Sequence, residues 1–183
     1  MSRALFITIH MYLSAFFTVF VLLVSISGGL YLMGYKGSVE KEAVYSSESD
    51  FGLPALRDQP GELAKAVGGL LAQAGIEGYS FEYVKVKGST LLTRPTSKTH
   101  YVIELSDGVQ VTRATPSLQK SMMELHMGHG PLAFKTFQKF FAAGLIFIIL
   151  SGFWLGLSSD RLRPRTLAAA AGGAAAFVLV LFI

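Results

Sequence analysis

The sequence predicts an α-helical membrane protein with three transmembrane helices and one folded α+β domain outside the bilayer. Three observations predict it. Of 183 residues, 51% are hydrophobic and only 15% charged, where a soluble domain carries about a quarter charged residues. The apolar residues are gathered into charge-free runs, Ala4 to Met33, Phe140 to Leu157 and Leu167 to Ile183, and a helix needs about 20 such residues to cross a bilayer. Between the first two runs lies a segment of ordinary domain composition, with ten basic and eleven acidic residues from Lys36 to Gly130.

The first transmembrane helix is expected over residues 4–34. Its leader is a single Arg3, its apolar stretch is long, and no A-x-A pattern closes it. These features describe a retained anchor rather than a cleaved signal peptide. The second helix is expected over 131–158 and the third over 166–183. Arg3 precedes the first, and Arg161, Arg163 and Arg165 lie between the second and third. Basic residues stay on the cytoplasmic side, so the N-terminus is expected there and the intervening segment outside. The net charge of +4 flanks the membrane helices, where topology accounts for it, and does not point to nucleic acid.

Residues 36–115 are expected to form the outer α+β domain. Gln59 to Gln73 reads as a helix with Pro60 at its first position and Leu63, Val67, Leu70 and Leu71 on one face, ended by Gly75. Strand-like runs follow at Tyr79 to Lys87, Thr90 to Thr93, Tyr101 to Leu105 and Val109 to Arg113. Ser106-Asp107-Gly108 is a hairpin turn between the last two. Tyr45 to Leu53 is polar and reads as a loop. An interfacial helix is expected over 116–130, with Thr115 as N-cap and Pro116 at its first position, until Gly128, Gly130 and Pro131 interrupt it.

The segment holds no Ser/His/Asp pattern, phosphate loop or carboxylate pair of meaningful spacing, so catalytic residues are unknown from sequence. The absence of cysteine excludes disulfides, thiol catalysis and Cys-ligated iron–sulfur clusters. His100 precedes a strand and is expected to be an exposed polar residue. His10 lies within the first apolar run, where ionisable groups are expensive and usually face other helices. It either satisfies a hydrogen bond near the cytoplasmic surface or ligates haem, since an imidazole suits haem iron. His10, Ser14, Thr18, Val21, Ser25, Gly28 and Leu32 fall on one stripe, and small residues on a stripe mark a helix-packing face.

Helix rise places His10 and Gly152 of the second helix at one depth, each about 9 Å from the cytoplasmic edge. Gly152 and Gly156 form a G-x-x-x-G, which serves close helix contact or leaves room for a macrocycle. His126 and His129 lie about 45 Å from that edge, beyond a hydrocarbon core of about 30 Å. They therefore cannot share an iron with His10 in one chain. A bis-histidine haem at His10 implies a homodimer, His10 with its symmetry mate. His126 and His129 are expected on one side of a helix, where they bind a second haem in the same way, chelate a metal ion, or form a polar interfacial end. A weak repeat also appears. Phe16-Phe17 precedes Ser27-Gly28, and Phe140-Phe141 precedes Ser151-Gly152, by the same interval.

The arrangement resembles the PepSY-associated transmembrane family. The residues that carry it are Ile9-His10 with Ser14 and Phe17, Ser27-Gly28-Gly29, Asp107-Gly108 to Val111-Thr112, Leu125-His126-Met127-Gly128, and Ser151-Gly152-Phe153-Trp154. The resemblance spans roughly residues 5–157. It implies a PepSY-like domain, a helix over a small antiparallel sheet, on the periplasmic side of a bacterial inner membrane. It implies haem b as cofactor, His10 and His126 as motif histidines with His129 an addition, and reduction of ferric iron or a ferric siderophore. Many relatives have four or more helices, so three helices favour a homodimer. The alternative is a non-enzymatic, membrane-anchored PepSY module that binds a peptidase or metal-uptake partner.

Overall fold

The computed structural model describes residues 3–183. Its helices α1 (Arg3–Leu32), α4 (Leu132–Leu157) and α5 (Arg163–Leu181) are each long and apolar enough to cross a membrane. They do not bury their apolar side chains: only 11% of the most apolar windows of α1 and α4 is buried and none of that of α5. A helix apolar on all sides and left uncovered suits a membrane span. The chain forms two units, residues up to Val21 with Lys139–Ile183, and Leu22–Gln138.

In the first unit α1 and α4 run antiparallel, and contacts at successive levels show why. Phe6 lies against Trp154 with ring centroids 4.8 Å apart. Further along α1, Phe17 meets Phe141 at 5.4 Å and Phe20 meets it at 4.9 Å. Phe17 packs where Gly144 has no side chain, so the backbone of α4 is approached directly. Aromatic stacking and small residues are what hold helices together in lipid, where no hydrophobic driving force acts between them. α5 starts with Pro164 in its first turn, and Thr166 lies against Gly156.

The second unit is built on a five-stranded antiparallel sheet in the order β1-β5-β4-β3-β2. The strands are β1 (Val39–Ser47), β2 (Tyr83–Lys87), β3 (Thr90–Arg94), β4 (His100–Glu104) and β5 (Val109–Pro116). α2 (Pro60–Gln73) and a 3-10 turn at Leu53–Leu56 cover one face. Leu63, Val67, Leu70 and Leu71 of α2 form one core with Leu91, Tyr101, Ile103, Val109 and Val111 of the sheet. α2 ends where Gly75 adopts a left-handed conformation (φ +77°), which costs a glycine little.

Side chains alternate between faces along a strand, so His100, Arg94 and Leu92 point opposite to Tyr101, Thr93 and Leu91. α3 (Leu118–His126) lies on that second side. Ser117 caps it, its hydroxyl accepting the Lys120 amide. Gly37 passes so close to Lys120 that a Cβ there would sit 2.5 Å from its amide nitrogen. At the other end of α3 the Gln138 amide donates to the Leu125 carbonyl at 2.8 Å. Both carboxylate oxygens of Glu82 accept the Leu132 amide, at 2.7 and 3.0 Å. Glu82 thus satisfies one of the orphan donors at the start of α4 and opposes the positive end of its dipole.

Four expectations change. Of the polar run read as a loop, Tyr45 to Ser47 instead close β1, an edge strand paired with β5 in the register Glu42↔Arg113; residues 48–52 are irregular as expected, and Leu53 is fully buried at the start of a 3-10 turn. The strand expected from Tyr79 begins at Tyr83. The helix N-cap is Ser117 rather than Thr115, because β5 continues through Pro116. His100 is buried, 6% exposed, because α2 and α3 cover the two sides of β4.

Candidate functional site

His10 and His126 each meet the same structural device. The imidazole of His10 lies with Nδ1 2.8 Å from the Ser151 hydroxyl, and that hydroxyl donates to the Ile148 carbonyl at 3.1 Å. The imidazole of His126 lies with Nδ1 3.1 Å from the Ser27 hydroxyl, which donates to the Val24 carbonyl at 3.2 Å. Both serines are buried, 3% and 0% exposed. A hydroxyl has one proton. With that proton given to the carbonyl of the preceding turn, the oxygen accepts from the imidazole and Nδ1 carries hydrogen; with it given to Nδ1, the roles reverse. In the neutral ring the first arrangement leaves the lone pair on Nε2, which has no hydrogen-bond partner among the described residues.

The glycine after each serine completes the cradle. A Cβ on Gly152 would lie 3.0 Å from Cε1 of His10, and a Cβ on Gly28 would lie 3.3 Å from Cε1 of His126. The rings occupy space that any other residue would take. The Ser-Gly pair therefore orients the ring from one side, by a hydrogen bond to Nδ1 and by contact with Cε1. The repeat of Phe-Phe and Ser-Gly is the sequence trace of this device. Phe17, Ser27, Phe141 and Ser151 are buried residues of α1 and α4. Depth matching brought Gly152 to His10, but nothing in the sequence joined Ser27 to His126 or marked either serine as a histidine partner.

His129 does not share this environment. α3 stops at His126, Gly128 turns left-handed (φ +76°), and His129 lies beyond the helix. Its Nδ1 is 2.7 Å from Oε2 of Glu124. Helical spacing thus does not set the two imidazoles side by side, and they take different partners. No three His, Asp, Glu or Cys side chains gather to hold a metal ion among the described residues.

Glu124 is the centre of a second cluster that sequence reasoning missed. It is 8% exposed, accepts from the Thr96 hydroxyl at 2.6 Å and pairs with Lys120 at 2.9 Å and with His129. Thr96 in turn accepts from Arg94 at 2.7 Å. Burial pushes the Glu124 pKa up, but the hydrogen bonds from Thr96, Lys120 and His129 and the charge of Lys120 outweigh it and hold it at about 2. Nearby, His100 donates Nδ1–H to the Lys98 carbonyl at 2.9 Å, and burial lowers its pKa.

No protein-family model, curated protein or solved structure matches the chain.

Proposed function

We propose that this is a haem-binding electron-transfer protein of the bacterial inner membrane that reduces ferric iron or a ferric siderophore on the periplasmic side. The observation that carries the reading is the paired Ser-Gly cradle, which, with hydrogen on Nδ1, presents Nε2 of His10 and of His126 as a base. Metal-ligating histidines characteristically donate their other ring N–H to a fixed acceptor, which sets tautomer and orientation. One histidine per cradle is too few for a bare ion, which wants about four or more protein or water ligands. It suits a macrocycle that brings four nitrogens of its own. When bound, haem b would supply one-electron chemistry.

In this reading His10 and His126 hold the cofactor, Ser151 and Ser27 fix their tautomers, and Gly152 and Gly28 leave the rings their space. The basic residues Arg3, Arg161, Arg163 and Arg165 support a cytoplasmic N-terminus with the sheet domain outside. A haem held by two imidazoles would take His10 and its copy in a second chain, so the proposed working unit is a homodimer.

The test is optical. Protein purified in mild detergent from haem-replete cells should show a Soret band that shifts on reduction and is re-oxidised by ferric citrate. His10→Ala and His126→Ala should each remove part of the absorbance. A colourless wild-type protein would overturn the reading and leave the membrane-anchored binding module.

A further inference from the structure

The cluster around Glu124 lines a cavity of about 200 Å³ between the α3 side of the sheet and α3 itself, with Arg94, Thr96, His100, Lys120, Glu124 and His129 in its wall. Its charge balance is uneven. Arg94, Lys120 and Lys87, which also lines it, are cationic, and Glu124 is the one carboxylate. Glu124 is fully engaged by Thr96, Lys120 and His129. It reaches Arg94 only through the Thr96 hydroxyl, which accepts from the guanidinium and donates to the carboxylate.

Arg94 is therefore anomalous. It is 9% exposed, it makes no ion pair with any described residue, and its Nε is buried without a hydrogen-bond partner. A buried guanidinium without a counter-ion is costly, and an orphaned buried donor calls for a specific cause. Glu124, the carboxylate of the same cavity, is engaged by Thr96, Lys120 and His129 and does not pair with Arg94 directly. Lys120 and His129 are partly exposed, with side chains 29% and 38% accessible, so the cavity can be reached from their side. His100 and His129 both commit Nδ1, to the Lys98 carbonyl and to Glu124. In their neutral forms each keeps an acceptor lone pair on Nε2, which suits a hydroxyl. Cations for a carboxylate beside acceptors for a hydroxyl complement a hydroxycarboxylate.

We infer that this cavity binds the carboxylate group of a small hydroxycarboxylate anion, with Arg94 and Lys120 as its cationic partners. That the anion arrives as a ferric chelate rests on the function proposed above. The carboxylate site itself does not.

The experiment is calorimetric titration of the full-length protein, in nanodiscs of neutral phosphatidylcholine, with iron-free citrate. Citrate should bind and should raise the thermal midpoint of the wild type. Arg94→Gln should weaken binding about tenfold or more, the loss expected for a hydrogen-bonded charge, and should remove the thermal shift while the protein stays folded. Lys120→Gln, at a partly exposed position, gives a second reading of the same loss if Arg94→Gln does not fold. Competition by inorganic phosphate would support a general oxyanion site. Absence of citrate binding, or binding unchanged in both variants, would overturn the inference. The Soret spectrum of the same samples separates the two proposals: citrate binding by a colourless protein sinks the haem reading alone, and a coloured protein that ignores citrate sinks this one alone.

Discussion

A serine hydroxyl in the middle of a helix ordinarily bonds back to a carbonyl of the preceding turn and is finished. Ser151 and Ser27 do this and also bond an imidazole. The pairing is not visible in sequence, because His126 is 99 residues from Ser27 and His10 is 141 from Ser151. The histidines themselves were legible, since an ionisable residue in an apolar run draws notice by its cost. So was the Ser-Gly repeat, though not its purpose. The two members of the cradle make separate predictions. Ser151→Ala removes the acceptor for Nδ1–H and frees the tautomer, and loss of such an outer partner typically costs about 10- to 100-fold in metal affinity. Haem retention by His10 should fall accordingly while membrane insertion is unchanged. Gly152→Ala places a methyl 3.0 Å from the His10 ring, and Gly28→Ala places one 3.3 Å from the His126 ring. The first is the tighter contact, so haem at His10 should be lost more completely than haem at His126. Equal and full retention in all three variants, measured by absorbance per protein, would show that the cradles only satisfy hydrogen bonds.

At the scale of elements, the helices were legible and the edge of the sheet was not. α2 carries its own signals, Pro60 at the start, a four-residue apolar face and Gly75 at the end, and all three act locally. β1 carries none. Its sequence is charged and half-exposed, as an edge strand that must not pair with other chains should be. What makes it a strand is pairing with β5, some seventy residues on, where Glu42 meets Arg113. The burial of His100 was missed for the same reason, because α3 covers that side of the sheet only in the folded chain. That burial has a consequence for stability. His100 has its pKa lowered by desolvation, the largest influence, which outweighs the Lys98 carbonyl and Glu124 that would raise it; Arg94 and Lys120 lower it further. The unfolded chain then takes up a proton more readily than the folded one. Stability from this group is complete above the ordinary histidine pKa and falls as pH drops through it, by at most about 1.4 kcal/mol per pH unit. Glu124 works in the opposite range, since its depressed pKa contributes stability that is lost only as pH falls from its ordinary value toward about 2. The thermal midpoint of the full-length protein should therefore drop between pH 7.5 and 5.5, and His100→Asn, which keeps a donor for Lys98, should flatten the drop. An unchanged slope in the variant would assign the pH dependence to another group.

For the whole molecule the proposed function turns on how many chains would surround one cofactor. Each cradle offers a single imidazole, and the stripe on which His10 lies straddles a boundary. His10, Ser14 and Gly28 are partly buried, while Thr18, Val21 and Ser25 on the same stripe are exposed. If His10 holds haem as proposed, its place at the border of a packed face would let a macrocycle reach it from the open side, which a place in the middle of the face would not. If a second copy of the chain covers that open side, His10 meets its counterpart across one haem and His126 meets its own across another. The expected stoichiometry is then one haem per chain, with a low-spin, six-coordinate spectrum, and half a haem per chain in either His10→Ala or His126→Ala. Independent monomers would instead bind up to two haems per chain, each with one protein ligand and a high-spin spectrum. Cysteines introduced at Thr18 and Ser25 should cross-link between chains, whereas one at Phe17, buried against α4, should not. Haem content, spin state and cross-linking can be read from one preparation. Two high-spin haems per chain with no cross-link at Thr18 or Ser25 would exclude the homodimer while leaving the cradles themselves intact.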